Sequence, residues 1–235
     1  MFNNSNRRLT RRVFLNPVCN LACLVLLAVA APAALADELA VWNFNDSNLN
    51  VDHGSGTLVS NVNVVNLLFA AGTTNNARLG DPAGQSLSLQ GGSGTANNGR
   101  HITFNVSTLG FSNIVVSFAT QGTSTGFNSN QFQYSLDGVT FINFGTPYTP
   151  ASSFGSTPLV FSLASIVGLN DNPNAALRIL FNGATSATGT NRIDNFVVEG
   201  TPAAATNIPE PTTAILLLSG LSGLYGLRKR RRAAK

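Results

Sequence analysis

Cysteine is almost absent from this chain of 235 residues, since its only two examples, Cys19 and Cys23, both lie within the first 36 residues. The remaining sequence therefore has no thiol for nucleophilic catalysis or zinc binding, and it cannot form a disulfide. Whatever folds after residue 36 has to be held together by its hydrophobic core alone.

Positive charge is also scarce in the middle of the chain. Between Asp37 and Glu210 there is no lysine, and four arginines stand against ten acidic residues, which gives a formal net charge of −6. The +4 of the whole chain comes from basic residues near its two ends. A region without a basic surface is not expected to bind the phosphate backbone of DNA or RNA, so nucleic-acid binding is excluded as a function class.

Groups that commonly carry catalysis are few. Only two histidines occur, His53 and His101, and no pair of acidic residues falls in a recognisable catalytic motif. Glycoside hydrolysis needs two carboxylates across a cleft, and folding could still bring two of the ten acids together. The sequence therefore predicts a protein that is not an enzyme, with a carbohydrate-active hydrolase as the weaker alternative.

The most organised stretch is the C-terminal end. Two prolines should keep the chain extended and accessible ahead of an uncharged apolar run over residues 212–227, which predicts a short transmembrane helix. Consecutive cations behind the run predict a cytoplasmic end that stops transfer across the membrane. The motif before the run is Pro209, Glu210 and Pro211, and the membrane stop behind it is Arg228, Lys229, Arg230, Arg231 and Arg232.

These three parts, in this order, resemble the PEP-CTERM sorting signal over residues 207–232. The resemblance implies transit across the inner membrane and recognition by an exosortase-type membrane protease. It further implies removal of the apolar tail and delivery to the cell surface or an extracellular matrix. An ordinary C-terminal transmembrane anchor is the alternative interpretation.

An export signal is expected at the other end, and residues 1–36 have the layout of a signal peptide. A basic segment at residues 7–12 precedes an apolar helix at residues 21–31, and Ala34 and Ala36 form a small-x-small site for signal peptidase. The mature protein would then begin at Asp37. Residues 10–15 resemble a twin-arginine export motif, and a general secretory signal is the alternative.

Residues 37–200 are predicted to form one all-β domain, a single antiparallel β-sandwich of jelly-roll type, flanked by the signal helix and the sorting helix. About nine strands of alternating polar and apolar residues are separated by turn signals. The best helical stretch, residues 163–169, is only about two turns long. Residues 201–206 are predicted to be a linker.

Three local features support this fold. Residues 39–45 predict an opening strand with Trp42 in the core, and residues 193–198 predict a closing strand beside it. Residues 131–144 predict a hairpin with Asp137 and Gly138 in a two-residue turn. That hairpin resembles those of discoidin-like and carbohydrate-binding jelly-roll modules.

A binding role would need a site within this domain. Asp46 and Asp194 would meet if the first and last strands pair, which suggests a calcium site, although calcium takes six to eight oxygen ligands. The alternative is that Asp46 caps a turn and Asp194 accepts backbone hydrogen bonds. Carbohydrate contact would use loop aromatics such as Phe127, Tyr148 or Phe154, or these rings close the ends of the sandwich.

The sequence thus predicts an exported cell-surface or extracellular-matrix protein with a non-catalytic β-sandwich module. A carbohydrate-binding module acting on exopolysaccharide is the alternative function. No cofactor is expected apart from the suggested calcium.

Overall fold

The structure, a computed structural model, describes residues 36–203, and this part of the chain is all-β. Its only helical segments are single 3₁₀ turns at Val64–Asn66, Ser93–Thr95 and Val167–Leu169. Its strands are β1 (Asp37–Trp42), β2 (His53–Gly54), β3 (Thr57–Ser60), β4 (Leu67–Ala71), β5 (Gln85–Gln90), β6 (Arg100–Asn105), β7 (Phe111–Gly122), β8 (Gln131–Ser135), β9 (Ile142–Asn143), β10 (Leu159–Ser162), β11 (Ala176–Phe181) and β12 (Thr190–Pro202).

The strands form two antiparallel sheets that face each other. The seven-stranded sheet follows the path β10-β7-β12-β1-β2, and β5 joins it by pairing with β12 and with β4. The five-stranded sheet has the order β3-β6-β11-β8-β9. Buried side chains from both sheets form one core cluster, so the expected all-β sandwich of two antiparallel sheets is confirmed.

Alternation of polar and apolar residues decides which face of each strand enters the core. Ile102 and Phe104 on β6 and Val106 directly after it are buried, as the pattern predicts. The same rule applies to two further strands. On β7 the buried alternate residues are Ile114, Val116 and Phe118, and on β11 they are Leu177, Ile179 and Phe181.

Aromatic rings link the two sheets at the centre of the core. The ring of Phe196 on β12 stacks on that of Phe104 on β6, with centroids 3.5 Å apart and the planes 3° from parallel. Trp42 is fully buried and meets the Phe104 ring edge-on at 4.9 Å. Trp42 is therefore a core residue, as the sequence predicts.

The first and last strands are neighbours, which confirms a second expectation. β1 pairs with β12 from Asp37 opposite Gly200 to Trp42 opposite Phe196. β12 is longer than the predicted closing strand and continues through Pro202, two residues into the segment predicted to be a linker. On its other side β12 pairs with β7, and its register shifts between Asp194 and Val197.

Two local predictions are corrected. Only Val167–Leu169 is helical in the stretch expected to make two turns, because the helix cannot continue through Ile166, whose φ of −94° and ψ of 80° are not helical. The hairpin at residues 131–144 exists, but β8 ends at Ser135 and β9 begins at Ile142. Asp137 and Gly138 therefore lie in a longer loop instead of a two-residue turn.

The apolar stretch at residues 58–71 is divided between the two sheets. Its first part is in β3 of the five-stranded sheet and its last part is β4 of the seven-stranded sheet. The predicted signal helix, Ala34 of the cleavage site, the sorting motif, the apolar helix and the basic tail lie outside the described residues. Within residues 36–203, no helix is both long and apolar enough to cross a membrane.

Candidate functional site

The outer face of the five-stranded sheet carries a row of polar side chains that crosses four strands. Because successive residues of a strand point to opposite faces, the residues paired across the sheet with Arg178 share its outward direction. Arg178 pairs with Thr103 of β6 and with Gln133 of β8. Gln133 in turn pairs with Asn143 of β9. These four residues, together with Phe141, are called the outer row, of which Thr103 is the buried member at 3% exposed.

Hydrogen bonds hold the outer row in place. Arg178 donates from Nε to Oγ1 of Thr103 at 3.0 Å, and Gln133 donates from Nε2 to Oδ1 of Asn143 at 2.8 Å. The guanidinium carbon of Arg178 lies 3.2 Å from the centre of the Phe141 ring, which is a cation–π contact. The guanidinium is therefore held between a hydroxyl on the neighbouring strand and an aromatic ring.

The electrostatics of this face are governed by Arg178. Burial lowers the pKa of Arg178, but an arginine stays charged at neutral pH. Burial, followed by the nearby charges of Arg178 and Arg100, lowers the pKa of His101, which lies on the same face. His101 is therefore neutral at pH 7 and can both donate and accept a hydrogen bond.

Two hollows adjoin the outer row at one end of the sheet. The larger has a volume of about 270 Å³ and is lined by residues of β6, of the loop after β8 and of the segment before β11. The smaller has a volume of about 230 Å³ and is lined by Leu136, Asp137, Thr140 and Ile142. Both hollows share Asp137, so the β8–β9 loop forms their common wall.

Asp137 closes this loop instead of offering a free carboxylate. Its Oδ1 accepts the amides of Thr140 at 2.7 Å and Val139 at 2.8 Å, and the hydroxyl of Ser135 at 2.9 Å. These hydrogen bonds, first that of Thr140, hold the pKa of Asp137 well below its usual range. The side chain thus builds an Asx turn, which explains the longer loop.

The two acids predicted to bind calcium have separate partners. Asp46 is exposed in the loop after β1 and accepts a hydrogen bond from Asn48. Asp194 is fully buried and accepts the amides of Thr73 at 2.6 Å and Asn195 at 2.9 Å. Across residues 36–203, no group of three or more His, Cys, Asp or Glu side chains is arranged to hold a metal ion. Calcium binding by the pair stays a prediction.

Asp194 helps to hold the loop at residues 72–84 against the seven-stranded sheet. Next to it, Asn195 donates to the carbonyls of Thr73 and Asn75, both at 2.8 Å. Farther along the loop, Arg78 forms ion pairs with Glu38 of β1 at 3.0 Å and Glu199 of β12 at 2.9 Å. The loop is thus anchored by buried polar contacts and by two ion pairs.

The stability of the fold is expected to fall as pH rises, because of Asp194. Burial raises the pKa of Asp194 to about 7, against the opposing effect of the two amides. Between about pH 4 and pH 7 the folded chain keeps a proton on Asp194 that the unfolded chain has released. The stabilisation that this proton provides is therefore lost as pH rises through about 7. The free energy of unfolding, measured with urea, should be lower at pH 8 than at pH 5 by up to about 3 kcal/mol.

The variant Asp194→Asn tests the source of this pH dependence, since it cannot titrate. It should show little difference between pH 5 and pH 8, whereas the control Asp46→Asn, at an exposed site, should retain the wild-type difference. Equal stability of the wild-type protein at both pH values would contradict the role given to Asp194.

The loop aromatics proposed for carbohydrate contact are mostly core residues. Phe127 is 1% exposed and packs on Phe181, with ring centroids 5.4 Å apart. The hydroxyl of Tyr148 is buried without a hydrogen-bond partner, and its ring contacts Phe118 and Phe161. Phe154 is half-buried. Phe127 and Tyr148 therefore close the sandwich, which is the alternative that the sequence left open.

Phe141 was missed because the sequence offered no signal for it. It lies within the predicted hairpin, where an aromatic residue is expected to pack into the core. The longer β8–β9 loop instead brings its ring to Arg178 on the outer face, and no local pattern predicts that contact.

A second polar cluster joins β1 to two loops. Asn43 donates its amide to Asp52 at 2.7 Å and its side chain to Asp81 at 2.9 Å, while Nε2 of His53 lies 3.1 Å from Asp81. Burial raises the pKa of Asp52. Since both carboxylates are bound to the same asparagine, the arrangement ties the loops to the strand.

No protein-family model and no curated protein matches this chain. Among solved structures, TmCBM61 in complex with β-1,4-galactotriose aligns at 12% identity over 66% of this chain and 92% of its own, with a TM-score of 0.42. The xylan-binding domain CBM22-1 of Paenibacillus barcinonensis Xyn10C aligns at 14% identity over 74% of this chain and 100% of its own, with a TM-score of 0.43.

Domain 4 of the extracellular arabinanase AbnA from Geobacillus stearothermophilus, in complex with arabinotriose, aligns at 13% identity over 71% of this chain and 94% of its own, with a TM-score of 0.42. All three TM-scores lie below 0.5, so the likeness to these structures is loose.

Proposed function

We propose that the β-sandwich is a non-catalytic module that binds carbohydrate through the outer row. The observation that carries this proposal is the contact of Arg178 with Phe141 beside the neutral polar side chains of Gln133 and Asn143, all on one face of a sheet. Sheet strands hold these groups at fixed spacing, which favours recognition of a regular polymer over an irregular surface.

The chemistry of the outer row suits a sugar. Neighbouring hydroxyl groups of a sugar act as donors and acceptors, and Gln133 and Asn143 offer both functions, whereas Arg178 offers donors only. Thr103 is only 3% exposed and serves to position Arg178. The free side of an aromatic ring such as Phe141 can receive the apolar C–H face of a sugar ring. The single positive charge of Arg178 would also favour acidic sugars in a domain of net negative charge.

Removing the guanidinium tests this proposal. Arg178→Gln should weaken binding to polysaccharide about tenfold to a hundredfold, because a hydrogen bond from a charged group contributes about 1.5–3 kcal/mol. Binding would be measured by affinity electrophoresis with xylan, β-1,4-galactan, arabinan and an acidic exopolysaccharide in separate gels.

Arg192→Gln is the matched control, because Arg192 lies on the other sheet and donates to the carbonyl of Ala71. It should leave affinity unchanged. The proposal fails if the wild-type protein binds none of the four polymers, or if both variants lose binding equally. Thermal unfolding of each variant separates loss of the site from loss of the fold.

We further propose that the protein is exported and sorted through its C-terminal signal to the cell surface or an extracellular matrix. The order of Pro209, Glu210 and Pro211, the apolar run at residues 212–227 and the basic residues 228–232 supports this proposal. Signal peptidase, an exosortase-type membrane protease and the inner membrane would be its partners in transit. A glycan-binding module delivered in this way would hold the protein on exopolysaccharide.

A further inference from the structure

Both ends of the described chain lie at the same end of the sandwich. Asp37 pairs with Gly200 at the edge where β1 begins and β12 is about to end. Beyond β12, the amide of Ala203 donates to the carbonyl of Gly110 at 2.6 Å. The chain therefore leaves the domain beside the loop that precedes β7.

The loops at this end expose a cluster of large apolar side chains, which we call the apolar rim. It consists of Leu109 (54% exposed), Leu136 (40%), Val139 (80%) and Val167 (74%).

Hydrogen bonds bring the loops of the apolar rim together. Asn172 donates to the carbonyls of Leu136 and Gly168, at 3.0 Å and 2.8 Å, which joins the β8–β9 loop to the 3₁₀ turn at Val167–Leu169. The amide of Thr108 donates to the carbonyl of Asn172 at 2.8 Å, which adds the loop before β7. The rim is thus built on a connected scaffold.

The charges near the rim are few and already engaged. Residues 105–111, 135–141 and 163–175 contain no lysine or arginine, and their only acids are Asp137 and Asp171. Asp137 accepts two backbone amides, and Asp171 accepts the amide of Gly110 at 2.8 Å. A partner of the rim would therefore be bound by apolar contact, without a contribution from basic residues.

We infer that the apolar rim lies against the surface of a lipid bilayer while the C-terminal tail is embedded in it. This inference rests on the proposed membrane-embedded tail. Only residues 204–211 separate Ala203 from the start of the apolar run. At full extension, a segment of that length spans about 30 Å. The exit point is at the rim, so the tail holds this end of the domain near the lipid at high effective concentration.

The side chains of the rim suit the boundary between headgroups and acyl chains. Exposed Leu and Val side chains gain by leaving water there, and the tether removes most of the cost of association. Because the rim has no cations and its only charged side chains are acids, anionic lipid should not strengthen the contact. A second copy of the domain is the competing occupant.

Depth-dependent fluorescence quenching tests this inference on the chain from Asp37 to Lys235, which contains no cysteine. Single variants Val139→Cys and Val167→Cys would carry an environment-sensitive fluorophore. Val160→Cys is the matched control, because Val160 is 59% exposed on β10, outside the rim. Each variant would be reconstituted in phosphatidylcholine vesicles with and without nitroxide-labelled lipid.

At positions 139 and 167 we expect quenching at least about threefold stronger than at position 160, and no stronger on anionic than on zwitterionic vesicles. If the protein floats with the vesicles but quenching is equal at all three positions, the rim does not contact the bilayer, although the tail is still embedded in it. Failure to float would overturn both. If the fluorophores at positions 139 and 167 instead report an apolar environment that depends on protein concentration, without quenching by nitroxide lipid, the rim contacts a second copy of the domain and not the bilayer.

Discussion

Phe196→Ala is expected to lower the free energy of unfolding by about 3–5 kcal/mol, the usual cost of truncating a fully buried phenylalanine. Phe196 is central to the contact between the sheets. Its ring lies 3.5 Å from that of Phe104, 5.5 Å from that of Phe118 and 6.1 Å from that of Trp42. Removing this ring would leave a cavity, because the surrounding aromatic rings are held by their own packing and cannot close the gap. Urea unfolding followed by tryptophan fluorescence measures the change.

The matched control is Phe141→Ala, which removes an aromatic ring of the same size from the outer face. Phe141 is half-buried and contacts Arg178, so a loss of only about 1 kcal/mol is expected. If the two variants were destabilised equally, the assignment of Phe196 to the inter-sheet core and of Phe141 to the outer face would be wrong.

Replacing Pro209, Glu210 and Pro211 with alanine is expected to abolish release of the protein from the membrane. In the native host the wild-type protein should have a mass that begins at Asp37 and ends near residue 210, and it should be found outside the cell. The triple variant should keep its tail to Lys235 and remain with the inner membrane. Intact mass spectrometry of each cell fraction measures both outcomes.

Thr212→Ala combined with Thr213→Ala is the control, since it changes adjacent residues but leaves the three-residue motif intact. It should be processed like the wild-type protein. A wild-type protein that keeps its tail in the inner membrane would reduce the tail to an ordinary anchor. That result would leave the carbohydrate-binding proposal untouched, because the outer row lies within the β-sandwich.

Much of the core could be predicted from local sequence. Residues such as Ile102, Phe104 and Val106 alternate with polar neighbours, and a strand has only two faces, so the pattern assigns the buried face directly. The proximity of β1 and β12 was also predictable, because chain termini often meet at the surface of a domain.

The candidate site was far less predictable, because its residues come from distant parts of the chain. Thr103, Gln133 and Arg178 become neighbours only through the order β6-β11-β8. No local pattern specifies that order, since any of several strand orders would bury the same alternating residues. The same limit explains why Phe127, an aromatic in a polar segment, was considered for surface contact although it is buried.

By itself, the sequence determined the β class, the inward face of most strands and the negative charge of the middle region, and it predicts the layout of two terminal signals. These properties follow from composition, alternation of residue types and their order along the chain. Only the tertiary structure decided that Arg178 meets Phe141, that Asp194 is buried under a loop and that the apolar rim adjoins the exit of the chain. Each of these depends on contacts between residues far apart in sequence, whose pairing is set by packing of the whole domain.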